Sequence, residues 1–186
     1  MPKIIACINM TLDGYCDHTA VGADEETHQH YSDLIRSAGI FFYGRITYQL
    51  MESYWPEVVK NPTGVRATDE FARSIDDVPK IVFSRTLDKV VWRNSELKNE
   101  LVKEEILELK HQAIKDLYVG SPSMIVAFTK LDLLDEFQLC IHPVIVGSGL
   151  VLFKDISDRI ELKLLKTKTF ACGAVIHYYK PKRTDS

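Results

Sequence analysis

The stretch that decides the fold is Phe41–Leu50, FFYGRITYQL. Its apolar run stops on Gly44-Arg45 and restarts at once in a helical pattern that a threonine, Thr47, helps to open. A strand that empties into a helix N-terminus through glycine and a cation has the parts of an anion-binding turn. Glycine permits the tight turn, the first amides of the helix point outward unpaired, and a guanidinium supplies fixed charge. The anion and its partners must then be sought in the rest of the chain.

Upstream, Lys3–Asn9 (KIIACIN) is apolar and β-branched and predicts a buried strand, which Thr11-Leu12-Asp13-Gly14 breaks. Tyr31, Leu34, Ile35 and Ala38 recur at helical spacing, so a helix is expected over Glu25–Ala38 with Gly39 as its C-cap. Ile40–Tyr43 is the second strand. A helix through Tyr48, Met51 and Trp55 follows, limited by Pro56, then a loop over Asn61–Val65 and a short helix over Thr68–Ile75. Lys80–Ser84 and the short Lys89–Trp92 are read as strands, and Glu96–Ala113 as a charged amphipathic helix, most simply a solvated face. Asp116–Val119 is a strand that ends in Gly120-Ser121-Pro122-Ser123, with a helix from there to Lys130. Glu136–Val146, Glu161–Phe170 and Ala174–Lys180 are strand-like with almost no helix between them. The first two thirds therefore alternates strand and helix, which implies parallel pairing. The last third is antiparallel in style, and one continuous mixed α/β sheet is the simplest architecture.

The 186 residues are expected to form one domain, and 46% apolar content fits a globule with a substantial core. A net charge of −3, with no basic run beyond Lys180–Arg183, gives no reason to expect nucleic acid. Cys7, Cys16, Cys140 and Cys172 are widely spaced with no CxxC pair, which argues for a reducing cytosol and against a zinc site. Neither a signal peptide nor a membrane span of about 20 apolar residues is visible, so a cytoplasmic protein is expected.

Three strand ends carry residues suited to phosphate. Gly44-Arg45-Ile46-Thr47 is the first. Ser84-Arg85-Thr86 offers two hydroxyls and a guanidinium just past a buried strand. Gly120-Ser121-Pro122-Ser123 opens a helix with small residues that admit a close approach to backbone amides. Ligands of open α/β sheets gather beyond the carboxyl ends of the strands, and all three motifs fall there. Together they suit a dinucleotide, although GxGxxG is absent.

The order of TLDG, GRITY, SRT after a KIVF strand, GSPS before a helix, and HPVIVGSG resembles the dihydrofolate-reductase-like superfamily. It is most similar to the branch holding the riboflavin-biosynthesis reductase domain, the 5-amino-6-(5-phosphoribosylamino)uracil reductase, and its stand-alone relatives. The resemblance runs from Lys3 to Tyr179. It implies a mixed, mostly parallel eight-stranded sheet flanked by helices, a homodimer, and NADPH as cofactor. By the same resemblance Gly44, Arg45 and Thr47 contact the adenylate phosphates, and Ser84, Arg85 and Thr86 receive the adenosine 2′-phosphate. Gly120, Ser121 and Ser123 lie under the pyrophosphate, where dihydrofolate reductases favour consecutive glycines. Asp13 and Gly14 match a catalytic loop beside nicotinamide and substrate, with Thr11 in place of the family's serine. Gly147 and Gly149 match a glycine pair that follows a long late strand.

The remaining residues have plainer readings. Asp24-Glu25-Glu26 is where a proton donor would sit by analogy, yet three acids at a helix start also complement its dipole. His28 and His30 point roughly 200° apart on a helix and do not share a metal, and His142 reads as structural. Tyr48 and Trp55 are placed on the substrate side or in the core. Arg66 and Arg73 are the candidate cations for a substrate phosphate, by position alone. The leading reading is an NADPH-dependent reductase of a small planar heterocycle. A dihydrofolate reductase and a non-catalytic nucleotide-binding or sensor protein remain as alternatives.

Overall fold

The computed structural model describes residues 1–22 and 24–182. The apolar, β-branched runs form β1 (Ile4–Thr11) and β2 (Ile40–Gly44), with α1 (Glu25–Ser37) between them. Asp24 caps α1 by accepting from the Thr27 amide at 2.8 Å. α2 (Arg45–Glu52), α3 (Trp55–Lys60) and α4 (Arg66–Asp77) follow, then β3 (Lys80–Phe83) and β4 (Ser95–Lys98). The second half runs α5 (Lys103–Gln112), β5 (Leu117–Val119), α6 (Pro122–Lys130), β6 (Glu136–His142), β7 (Leu162–Thr169) and β8 (Val175–Pro181).

These strands make one eight-stranded sheet in the order β4-β3-β2-β5-β1-β6-β8-β7. Strands β4 to β6 in that order are parallel, and β8 and β7 are antiparallel to their neighbours. Alternation along β1 builds both cores. Ile4 and Ala6 face Ile125 and Phe128 of α6 and Ile106 of α5, whereas Ile5 and Cys7 face Leu34 and Ile35 of α1 with Phe71 and Ile75 of α4. Covering on both faces is what a parallel sheet requires, and it brings the carboxyl ends of β3, β2, β5, β1 and β6 to one rim.

Four boundaries depart from the sequence reading. Lys89–Trp92 is not a strand; the fourth strand is the polar Ser95–Lys98, which hydropathy had assigned to the following helix, so α5 begins only at Lys103. The Val91 and Trp92 amides donate instead to the Tyr48 hydroxyl at 3.1 and 3.0 Å, and the Trp92 indole donates to Asp76 at 2.7 Å. The Trp92 side chain thus reaches the core from an irregular segment, while Val91 stays exposed. Pro56 opens α3 rather than ending the helix before it, because its missing N–H is harmless in a first turn. α4 starts at Arg66, and β6 stops at His142, ahead of Pro143.

Behind Trp92 lies a buried lysine. Lys80 is 1% exposed; its ammonium donates to the carbonyls of Val78 at 2.8 Å and Asp76 at 3.1 Å and lies 4.2 Å from the centre of the Trp92 ring. It therefore closes the C-terminus of α4. Burial pulls its pKa down from 10.5 to about 8. A folded-state pKa below the unfolded one means that the unfolded chain holds the extra proton between these values, so this contribution to stability rises with pH there. Relative to Lys80→Met, wild type should gain on the order of 2–3 kcal/mol between pH 8 and pH 10 in urea unfolding. A difference that is flat with pH would refute the buried-charge account. Asp76→Ala should cost roughly 2 kcal/mol, because it strands the buried Trp92 indole, while Arg93 is exposed and keeps Asp77; a loss under about 0.5 kcal/mol would count against this network.

Candidate functional site

β2 passes into α2 with no loop, and Gly44 is the N-cap residue, so α2 has no side chain to close its first turn. In the neighbouring strand, β5 leads through Gly120 to Ser121, the N-cap residue of α6. Ser121 does not cap its own helix. Its hydroxyl is 1% exposed and accepts from the Gly44 amide at 2.9 Å. The bond ties the two strand ends together and leaves both helix starts without a side-chain cap. Outward amides and two aligned helix dipoles then share one place, which is an anion site built from backbone. A side-chain carbon on Gly44 would fall 2.8 Å from the Ser123 hydroxyl, and one on Gly120 would fall 3.2 Å from the Tyr43 ring, so both turns are drawn in as closely as glycine permits.

Arg45 is exposed beside this junction and donates to Gln49 at 3.2 Å; Thr47 is half-buried in the same turn. On the other side of β2, the Ser84 hydroxyl accepts from the amides of Thr86 and Leu87 at 3.1 and 3.0 Å. That turn leaves Arg85 and Thr86 exposed past the end of β3. The structure therefore brings the three anion motifs together on the adjacent strands β3, β2 and β5, within about 10 Å across the sheet.

At β1, one strand beyond β5, Asp13 organises a second loop. Its Oδ1 accepts from the Thr11 hydroxyl at 2.6 Å, and its Oδ2 accepts from the amides of Val146 and Gly147 at 3.1 and 2.7 Å. The Thr11 hydroxyl, then the Gly147 and Val146 amides, hold this carboxyl below its usual range. Asp13 thus clamps the loop through both of its oxygens. Gly14 sits at φ +89° with nothing within 4 Å of an added side chain, and Gly147 and Gly149 also take positive φ, Gly149 against the Tyr15 ring.

The residues placed on the substrate side separate. Tyr48 is 2% exposed and holds the segment before β4, so it is a core residue that touches no ligand space. Trp55 is half-buried with its ring 4.5 Å from that of Phe71, again as packing. Arg66 pairs with Glu70 at 2.8 Å on the surface of α4, and Arg73 is exposed on the same helix. Asp24 is occupied as a cap, which lowers its pKa, and Glu26 accepts from the Ala171 amide at 3.0 Å. His28 packs on Phe71, and His30 packs on Tyr31 and Phe170.

Sequence reasoning missed Asn9 and took His142 as structural. At the carboxyl ends of β1 and β6, on the face covered by α1, the Asn9 side-chain oxygen receives the Tyr31 hydroxyl at 2.9 Å. The same oxygen receives His142 Nε2 at 3.1 Å. An asparagine inside an apolar strand was the available signal.

An eight-stranded sheet of this order, with helix starts converging on adjacent strand ends, defines the dihydrofolate-reductase-like fold. Within that class the chain belongs to the RibD C-terminal domain family, whose profile matches residues 2–176. It is 32% identical over 177 residues to the uncharacterized protein YyaP of Bacillus subtilis (strain 168), covering 93% of this chain and 92% of that one. Among solved structures it resembles a putative riboflavin biosynthesis protein from Shewanella sp. PV-4, with a TM-score of 0.74 at 20% identity, over 97% and 99% of the two chains. It also resembles a dihydrofolate reductase from Enterococcus faecalis complexed with NADP(H), with a TM-score of 0.64 at 11% identity, over 97% of each chain.

The clamp makes a direct prediction. Asp13→Ala should raise hydrogen exchange at the Val146 and Gly147 amides at least tenfold and leave amides of β5 unchanged. Unaltered exchange at those two amides would mean that Asp13 does not hold the loop.

Proposed function

We propose that this chain is an NADPH-dependent reductase of a small planar heterocycle, similar in type to the 5-amino-6-(5-phosphoribosylamino)uracil reductase. The observation that carries the reading is the Gly44–Ser121 bond, which leaves two uncapped helix starts side by side. Family membership supports a reductase, and the donor set fits a dinucleotide. Gly44, Arg45 and Thr47 would hold one phosphate, with Gly120, Ser121 and Ser123 beneath its neighbour. Ser84, Arg85 and Thr86 would take the 2′-phosphate that separates NADPH from NADH. When bound, NADPH supplies a hydride. The protein's part is to fix the reacting partners so that transfer becomes effectively unimolecular. Asp13 serves by pinning the loop that carries Gly147, with Gly14 leaving open space next to it.

The acceptor side adds a restriction. Arg66 is engaged by Glu70, and the start of α1 carries Asp24, Glu25 and Glu26, so this side favours an acceptor without a phosphate over a phosphoribosyl compound.

Calorimetric titration separates these roles. Wild type should bind NADPH at least tenfold more tightly than NADH. Arg45→Ala should weaken both cofactors about tenfold, and Arg85→Ala should weaken NADPH alone. Absence of binding by either cofactor would remove the reductase reading. Equal loss of both on Arg85→Ala would misplace the 2′-phosphate.

A further inference from the structure

The segment that joins β3 to β4 is held by two side-chain oxygens, and one of them belongs to α2. Parallel strands are ordinarily joined through a helix, whose own ladder satisfies the backbone. Residues 85–94 form no helix, so their amides need other acceptors. The Ser84 hydroxyl accepts from the Thr86 and Leu87 amides at 3.1 and 3.0 Å, and the Tyr48 hydroxyl accepts from the Val91 and Trp92 amides at 3.1 and 3.0 Å. Between these two ties, Leu87 and Val90 lie half-buried against the core beneath α1 and α4. Arg85 and Thr86 stay exposed at the strand-end rim.

Tyr48 stands on the helix that opens the first anion turn. It follows Arg45 by one turn of α2, and its buried ring packs near Trp92 with 6.3 Å between ring centres. Because β2 and β3 pair with Gly44 opposite Phe83, the Gly44 and Ser84 turns are neighbours on the rim. The Tyr48 hydroxyl therefore joins the element carrying Arg45 to the segment carrying Arg85. The Gly44–Ser121 bond lies on the opposite side of β2 and does not depend on that link. Packing alone needs only the ring, which phenylalanine would supply. The hydroxyl adds two bonds to backbone 43 and 44 residues away in sequence.

We propose that Tyr48 is a positioning residue for the cofactor's 2′-phosphate. Its hydroxyl holds the segment behind Arg85 and Thr86 in register with the Gly44 turn, and so sets the preference for NADPH over NADH. A guanidinium recognises phosphate through a fork whose geometry depends on where its backbone stands, so a span tied at both ends arrives already oriented. Without the hydroxyl the span keeps the Ser84 tie and loses the other. The cost then falls on a ligand that reaches Arg85, while the groups at Gly44 and Gly120 keep their places. This rests on the reductase reading and on its placement of the 2′-phosphate at Ser84, Arg85 and Thr86.

The test is calorimetric titration of NADPH and NADH on wild type, Tyr48→Phe, Arg85→Ala and the double variant. Tyr48→Phe should weaken NADPH about tenfold and leave NADH within about twofold. On the Arg85→Ala background it should change NADPH affinity no further, because the hydroxyl acts through Arg85. A residue that served folding alone would weaken both cofactors or neither. A second measurement needs no variant. Coupling between two sites is reciprocal, so saturating wild type with adenosine 2′,5′-bisphosphate should slow hydrogen exchange at the Val91 and Trp92 amides about tenfold, and 5′-AMP should not. An unchanged NADPH-to-NADH ratio in Tyr48→Phe, additive losses in the double variant, or exchange indifferent to the bisphosphate would overturn the proposal. A wild-type preference for NADPH that survives Tyr48→Phe strikes this proposal and leaves the reductase reading standing. Wild type that binds neither cofactor removes both.

Discussion

The hydrogen bond from the Gly44 amide to the Ser121 hydroxyl is the constraint on which the rim of this molecule is organised. It uses the one side chain able to cap α6, and it can form only because β2 and β5 are neighbours that end at the same level. Glycine at 44 and 120 lets the turns close to contact distance, and the penalty is two helix starts whose amides lack a side-chain cap. Uncapped starts recur in this chain, at α3, α4 and α5 as well; what sets α2 and α6 apart is that theirs lie side by side. Leaving two open at adjacent strand ends makes sense when an external anion completes them. The buried strand β5 matters for the same reason: its register with β2, Phe42 opposite Val119, brings Ser121 level with Gly44.

Much of this was legible in the sequence because the signals are local. KIIACIN, IFFYG and KIVF are apolar, β-branched or aromatic runs; IFFYG ends on a glycine, KIVF runs into a serine, and the first strand ends at Thr11-Leu12-Asp13-Gly14. The three anion motifs needed only those ends to be found, and the parallel order then placed them side by side. The failures are equally physical. SELK is polar because β4 is an edge strand, paired on one side only, while VVW is apolar because Trp92 is a core residue held by Asp76 without strand pairing. Hydropathy reports burial, and here burial and strand came apart over neighbouring segments. Tyr48 and Trp55 were ambiguous for the same reason: helical spacing gives a face but not what the face meets.

The contrast between Asp13 and Asn9 shows where motif reading stops. Asp13 stands in a recognisable turn and invites a chemical role, but its oxygens are fully engaged in fixing the loop that carries Gly147. Asn9 stands in no motif. It is a polar residue in a strand whose register with β6 sets it at a level with Cys140 and next to His142. Only pairing across the sheet, a contact separated by 133 residues in sequence, joins these two side chains.

Charge is divided across the rim in a way that bears on what each half can hold. From β3 to β5 the available groups are backbone amides, hydroxyls and the cations Arg45 and Arg85, all suited to polyanions. From β1 to β6 they are a carboxamide and an imidazole, with the acids of α1 and Lys168 alongside. A polyanion placed on the second half would face Asp24 and Glu25 with Lys168 as the cation beside them, whereas a neutral ring placed on the first half would leave helix-start amides unpaired. The denser set of anion donors thus lies on the half from β3 to β5.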